Sequence, residues 1–79
     1  MKGQIPIIGN QEDLTPDIIE KIRSLAAMAG GVRFIAKEVN ENYDTFHNVL
    51  RGKSSDFIAL NKMVDKAKAI VKEKVKQLA

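Results

Sequence analysis

The stretch that decides the fold is IAKEVNENYDTFHNVLR, which covers residues 35 to 51. Apolar residues recur in each half of it at the spacing of one helix face. They are Ile35, Ala36 and Val39 in the first half and Phe46, Val49 and Leu50 in the second. The polar residues Asn40, Glu41 and Asn42 separate the two patterns. The sequence therefore predicts two short helices joined by a tight turn, which is a helix-turn-helix.

The second helix of this pair carries hydrogen-bonding side chains on the side away from its apolar residues. The row consists of Tyr43, Asp44, His47 and Asn48. A protein core does not need such groups at these positions, whereas the edges of DNA bases offer donors and acceptors that can pair with them. We therefore expect this helix to read double-stranded DNA.

The chain has 79 residues and no cysteine, which limits the classes of protein that it can belong to. A chain of this size forms one small domain near the lower limit for folding alone, so pairing with a second copy is plausible. Without cysteine, disulfides and thiolate metal sites are excluded, and a single histidine does not make a zinc site. No apolar run approaches the roughly 18 residues that span a bilayer. We expect a soluble, cytoplasmic protein with no cofactor and no membrane partner.

The formal net charge of +3 is distributed unevenly along the chain. Residues 31 to 55 hold four basic and three acidic side chains, a net charge of +1, and residues 56 to 79 hold six lysines and three acids, a net charge of +3. A mildly basic chain favours a polyanionic partner. The C-terminal lysines, however, are interpreted as a solvated helix face. They are Lys62, Lys66, Lys68, Lys72, Lys74 and Lys76.

The chain begins with a segment that lacks a helical period. We interpret residues 1 to 14 as an N-terminal arm, and its proline favours a tail over a strand within a sheet. A helix then begins where Thr15 can act as the N-cap and Pro16 as the first helical residue. Gly30 and Gly31 can end this helix, because glycine adopts the left-handed conformation common after a helix C-terminus.

Residues 15 to 79 are predicted to form one small all-α domain of four helices. The helix-turn-helix occupies residues 32 to 51, and a long C-terminal helix covers residues 56 to 79. Phe34 is expected to be a core residue. The C-terminal helix carries an apolar stripe that serves either dimerisation or the core. The stripe contains Phe57, Leu60, Val64, Ala67 and Val71.

The helix-turn-helix stretch resembles that of bacterial and phage repressors, most closely the DNA-binding headpiece of the lac repressor family and more loosely the phage repressor and Cro class. Ala36 matches an alanine that lets the two helices pack closely, and Asn40 stands where a glycine normally makes the turn. A serine, a tyrosine and a threonine commonly begin the reading helix, and their counterparts here are Asn42, Tyr43 and Thr45. A hydrophobic residue usually follows the turn glycine. This chain has Glu41 there, and we expect it at the surface.

The resemblance implies which side chains contact DNA when the second helix lies in the major groove. Base contacts are expected from Tyr43, Asp44, His47 and Asn48. Among these, Asn48 would pair with adenine, and Asp44 would accept a hydrogen bond from the amino group of cytosine. Phosphate contacts position the helix without reading the sequence. They are expected from Arg33, Lys37, Asn42, Thr45, Arg51 and Lys53.

Three members of the row also have simpler interpretations. Tyr43 can be a partly buried packing residue. Asp44 can merely favour the positive end of the helix dipole. His47 is more simply an exposed helical residue beside DNA than a ligand or a pH switch.

No arrangement for catalysis is visible in the sequence. The single histidine lies within the reading helix without an orienting partner, and there is no glycine loop for phosphates. We therefore expect neither an enzyme nor a small-molecule substrate. The leading hypothesis is a homodimeric repressor-type transcription regulator, or the DNA-binding component of a small mobile-element module. The alternative is a helical protein-interaction module that uses the C-terminal helix, motivated by the weak net charge of residues 31 to 55.

Overall fold

A computed structural model describes residues 5 to 78, with side chains described through residue 76. Four α-helices make up the fold, and they follow a short 3-10 helix, Gln11–Asp13. They are α1 (Pro16–Met28), α2 (Val32–Val39), α3 (Tyr43–Leu50) and α4 (Phe57–Leu78). The described part of the chain contains no strand. The predicted all-α class with a long C-terminal helix is therefore confirmed.

Local chemistry sets the ends of α1 as the sequence predicts. The Oγ1 atom of Thr15 accepts a hydrogen bond from the backbone N–H of Ile18 at 3.2 Å, and Pro16 occupies the first helical position. Gly30 and Gly31 have φ angles of 107° and 104°. An L-residue with a side chain rarely adopts such angles, so these two glycines allow the chain to leave α1 and start α2 at once.

The core is built around α4, which packs against each of the other three helices. Its buried residues meet those of the helix-turn-helix and of α1 in one cluster. On α4 they are Ala59, Leu60, Met63, Val64 and Ala67. Phe57 and Val71, at the two ends of the predicted stripe, are partly buried against the same cluster. The stripe therefore supplies core contacts within a single chain.

The interpretation of the N-terminal arm as a tail is wrong for its described residues, 5 to 14. Ile5, Ile8 and Leu14 are buried in the core cluster. The side chain of Asn61 on α4 holds Ile8 in place, because its Oδ1 accepts from the Ile8 N–H at 2.9 Å and its Nδ2 donates to the Ile8 carbonyl oxygen at 2.8 Å. Lys68 also donates to the carbonyl oxygen of Ile5 at 2.9 Å. Residues 1 to 4 of the predicted arm lie outside the described residues.

Phe34 is the second correction, because 45% of its surface is exposed although it was expected in the core. The buried face of α2 is formed by Ile35 and Ala36, and Phe34 lies beside that face. Its ring packs over Gly30, where an added Cβ atom would lie 3.2 Å from the Phe34 Cδ2 atom. The aromatic ring thus covers the α1–α2 connection.

We expect Ile8→Ala to lower the free energy of unfolding by about 2–5 kcal/mol, since it removes a core side chain and leaves a cavity. The neighbouring Ile7 is 82% exposed, whereas Ile8 is 1% exposed. Ile7→Ala is therefore a matched control and should change stability by less than about 0.5 kcal/mol. Urea unfolding followed by circular dichroism measures both. Equal midpoints for the two variants would mean that the arm does not belong to the folded core.

Candidate nucleic-acid interface

The turn between α2 and α3 is made by three polar residues with distinct roles. Asn40 adopts the left-handed conformation with φ 57° and ψ 43°. The backbone N–H of Glu41 then donates to the carbonyl oxygen of Ala36 at 2.9 Å. Asn42 caps α3, because its Oδ1 atom accepts from the N–H of Asp44 at 2.8 Å. The chain thus reverses within three residues, and α3 starts immediately after its cap.

The helix α3 separates its apolar residues from its polar ones. Phe46, Val49 and Leu50 are buried against the core. Of the predicted reading row, Asp44 is exposed and the other three residues are partly exposed. They are Tyr43, His47 and Asn48. The polar side of α3 therefore lies at the surface, with its apolar face buried beneath it.

A cation–π contact joins the first turn of α2 to the first turn of α3, and we call this contact the stack. The guanidinium carbon of Arg33 lies 4.7 Å from the centroid of the Tyr43 ring. The His47 ring meets Tyr43 edge-on, with centroids 4.9 Å apart, and meets Phe46 in the same way at 5.5 Å. Tyr43 also packs against the core cluster. Its packing and surface interpretations are thus compatible, since one side of the side chain supports the fold and another remains accessible.

Most residues assigned to phosphate contact lie at the surface around this face. All of them are exposed except Thr45, which is partly exposed. The others are Arg33, Lys37, Asn42, Arg51 and Lys53. The loop after α3 folds back on it, because Gly52 has a φ of 79° and the N–H of Lys53 donates to the carbonyl oxygen of Asn48 at 2.8 Å. The backbone of Lys53 is therefore held beside the C-terminal end of α3.

Two acidic side chains of the motif are engaged by α4. Glu41 pairs with Lys62 at 3.4 Å, and Glu38 pairs with Lys66 at 3.8 Å. Glu41 was expected at the surface, but its side chain is only 24% exposed. Partners this distant in the chain leave no local signal in the sequence, so neither pair was predicted.

The pairing changes the charge that the motif presents. Residues 31 to 55 carry four basic and three acidic groups, and two of these acids are the ones paired to α4. Asp44 is the one acid of this segment that forms no ion pair within residues 5 to 76. None of the four basic groups forms a salt bridge in the same range. The negative charges of Glu38 and Glu41 are thus partly countered by α4, while the four basic groups stay without an acidic partner there.

Two other features are absent from the described residues. No three of their histidine and acidic side chains come together as a metal-binding group. None of the described helices combines the length and the apolarity that crossing a membrane requires.

Comparisons with protein-family models, with curated proteins and with solved structures find nothing that matches this chain.

We expect Asn40→Ala to destabilise the protein by about 1 kcal/mol, because alanine lacks the short polar side chain that lets asparagine tolerate the left-handed conformation. Asn40→Gly is the matched control, since glycine adopts this conformation without a steric cost and should retain or raise stability. Urea unfolding of the two variants and the parent chain measures the difference. If Ala and Gly were equivalent at this position, the left-handed turn would not constrain the motif.

Proposed function

We propose that this protein is a sequence-specific double-stranded DNA-binding protein, a small repressor-type transcription regulator whose helix α3 lies in the major groove. The observation that carries the proposal is the polar face of α3, which lies at the surface above a buried apolar face, in a segment whose basic side chains are exposed. Two of the three acids of residues 31 to 55 are paired to lysines of α4, away from this face. A buried support beneath an open polar helix is the arrangement that groove reading requires.

The dimensions of DNA fit this arrangement. The major groove is about 12 Å wide and admits one α-helix, and residues near the N-terminus of that helix reach base edges. Tyr43 and Asp44 occupy the first turn of α3, and Asn48 follows one turn later on the same side. Asn48 pairs with adenine through its amide, and Asp44 accepts from the amino group of cytosine. Tyr43 contacts a thymine methyl group or a phosphate.

The basic side chains supply affinity that does not depend on sequence. In this proposal, Lys37 on α2 and Arg51 and Lys53 after α3, all of them exposed, contact phosphates beside the groove. Each contact releases counterions from DNA, so binding weakens steeply as salt rises. The unpaired Asp44 is repelled by phosphates, which disfavours DNA on which it finds no hydrogen-bond donor.

The proposal includes a homodimer, since two such motifs read half-sites about 34 Å apart on a palindromic operator. The structure limits which residues of α4 can form a dimer interface. Leu60, Val64 and Ala67 are buried in the core of their own chain, so pairing uses other residues of the protein. Val64→Asp would therefore unfold the monomer rather than simply dissociate a pair.

The alternative function is a helical protein-interaction module. It is favoured by exposed apolar side chains that the core does not use. Met28 and Val75 are examples, and both are more than half exposed. DNA binding and apolar docking respond differently to salt, since phosphate contacts lose orders of magnitude in affinity between about 50 and 200 mM and apolar contacts do not.

A binding-site selection from random duplexes tests the reading face. We expect the parent chain to enrich a defined site, and Asn48→Ala to weaken binding to that site by about 1–3 kcal/mol while relaxing the preference at one base pair. Arg23→Ala, an exposed change on α1, is the control and should alter neither. Unchanged affinity and preference in a folded Asn48→Ala variant would contradict the assignment of α3 as the reading helix.

A salt titration of the selected complex tests the phosphate contacts. Lys37→Ala and Lys53→Ala should each reduce the slope of log affinity against log salt by about 0.9, because each removes one neutralised phosphate. The losses should be similar on selected and on random DNA. Arg23→Ala again serves as the control. Fluorescence anisotropy between 50 and 200 mM salt gives the slopes, and binding that ignores salt would favour the protein-interaction alternative.

A further inference from the structure

Arg33 is placed differently from the other basic residues of the motif. It belongs to the first turn of α2, yet its guanidinium carbon lies 4.7 Å from the centroid of the Tyr43 ring on α3. Lys37, Arg51 and Lys53 have no such aromatic partner among the described residues. The sequence alone assigned Arg33 to phosphate contact together with these three. The contact with the Tyr43 ring distinguishes Arg33 from these three residues.

The chemistry of the stack leaves the hydrogen-bonding capacity of the guanidinium free. Arginine rests on aromatic rings by its flat face, and its five N–H donors point outward in the plane of the group. Because the stack holds the group in place, less conformational entropy is lost when its donors are used. Within residues 5 to 76, Arg33 forms no salt bridge that would occupy these donors.

The contact between Arg33 and Tyr43 lies at the N-terminal end of α3. In the proposed complex this is the end that reads bases. Tyr43 is the first residue of α3, and its ring is steadied by the edge of His47 and by the core. In helix-turn-helix proteins the N-terminal end of the second helix approaches base edges most closely. A guanidinium carried on that end reaches the major-groove edge of a base pair. The commonest base contact of such a fork is bidentate, to the O6 and N7 atoms of guanine.

We propose that Arg33 is a specificity-determining residue that reads a guanine in the major groove, with Tyr43 as the platform that aims it. This inference rests on the proposed DNA-binding function and changes one assignment within it. Arg33 and Tyr43 act as one reading unit built from both helices of the motif. The operator therefore contains a guanine next to the base that Tyr43 contacts.

Arg33→Lys separates base reading from phosphate binding. Lysine keeps the positive charge, but its ammonium group is a compact point charge that cannot form the planar fork. A phosphate contact survives this change, whereas a guanine contact that the Tyr43 ring aims is weakened, because an ammonium group does not stack on the ring as a planar fork does. Arg33 is exposed, so the variant should fold like the parent chain, and circular dichroism and thermal unfolding verify this.

The experiment is a binding-site selection on the parent chain and on four variants, Arg33→Lys, Arg33→Ala, Tyr43→Phe and Tyr43→Leu. Affinities are measured on the selected site and on the same site with one guanine replaced. Arg33→Lys should lower discrimination for that guanine by about 5- to 150-fold and leave the salt slope unchanged. Tyr43→Phe keeps the ring and should retain the preference. Tyr43→Leu removes the ring and should weaken the preference in a chain that still binds DNA.

Two results would overturn the inference while leaving the proposed function intact. One is a selected site whose guanine preferences all survive Arg33→Lys. The other is a uniform loss on all sequences in Arg33→Ala, with a salt slope reduced by about 0.9, which is the behaviour of a phosphate contact. Failure of the parent chain to bind any duplex would instead remove the proposed function and this inference together.

Discussion

Burial of the apolar face of α4 is the interaction on which the rest of the structure depends. Leu60 and Met63 on this face are fully buried, and α1, α2 and α3 all pack against the helix. The two helices of the motif have 8 residues each, which is shorter than the about 12–15 residues at which an isolated helix becomes even marginal in water. They persist because α4 covers their apolar sides. The polar face of α3 is therefore held in place from behind.

The same helix also shapes the charge of the candidate interface. Its lysines at 62 and 66 engage the acids Glu41 and Glu38. Exposed ion pairs of this kind contribute only about 0–1 kcal/mol to stability. Their more important effect is electrostatic, because they counter negative charge on the side of the motif that faces α4 and leave the basic side chains to dominate the surface. The helix α4 thus supports α2 and α3 and also contributes to the electrostatic potential around them.

The sequence predicts the features that depend on neighbouring residues. The cap at Thr15, the left-handed turn at Asn40 and the cap at Asn42 are local choices of the chain, so they could be located from residue types alone. The docking of Ile8 on Asn61, the exposure of Phe34 and the stack of Arg33 on Tyr43 depend on which elements meet in space. Neither the periodicity of the sequence nor its capping residues indicate such long-range contacts. The polar row of α3 could be placed on a helix, whereas the ion pairs beside the turn and the position of Arg33 over the Tyr43 ring required the fold.

The attachment of the arm to α4 has a consequence for biosynthesis. Ile5 and Ile8 leave the ribosome well before their partners Lys68 and Asn61, which lie 63 and 53 residues later. These isoleucines therefore stay without their core partners until α4 has emerged, and α2 and α3 gain their support at the same stage. Such separated contacts favour folding only once α4 is available. A chain interrupted before α4 would expose its isoleucines to proteases, so truncated molecules would not accumulate.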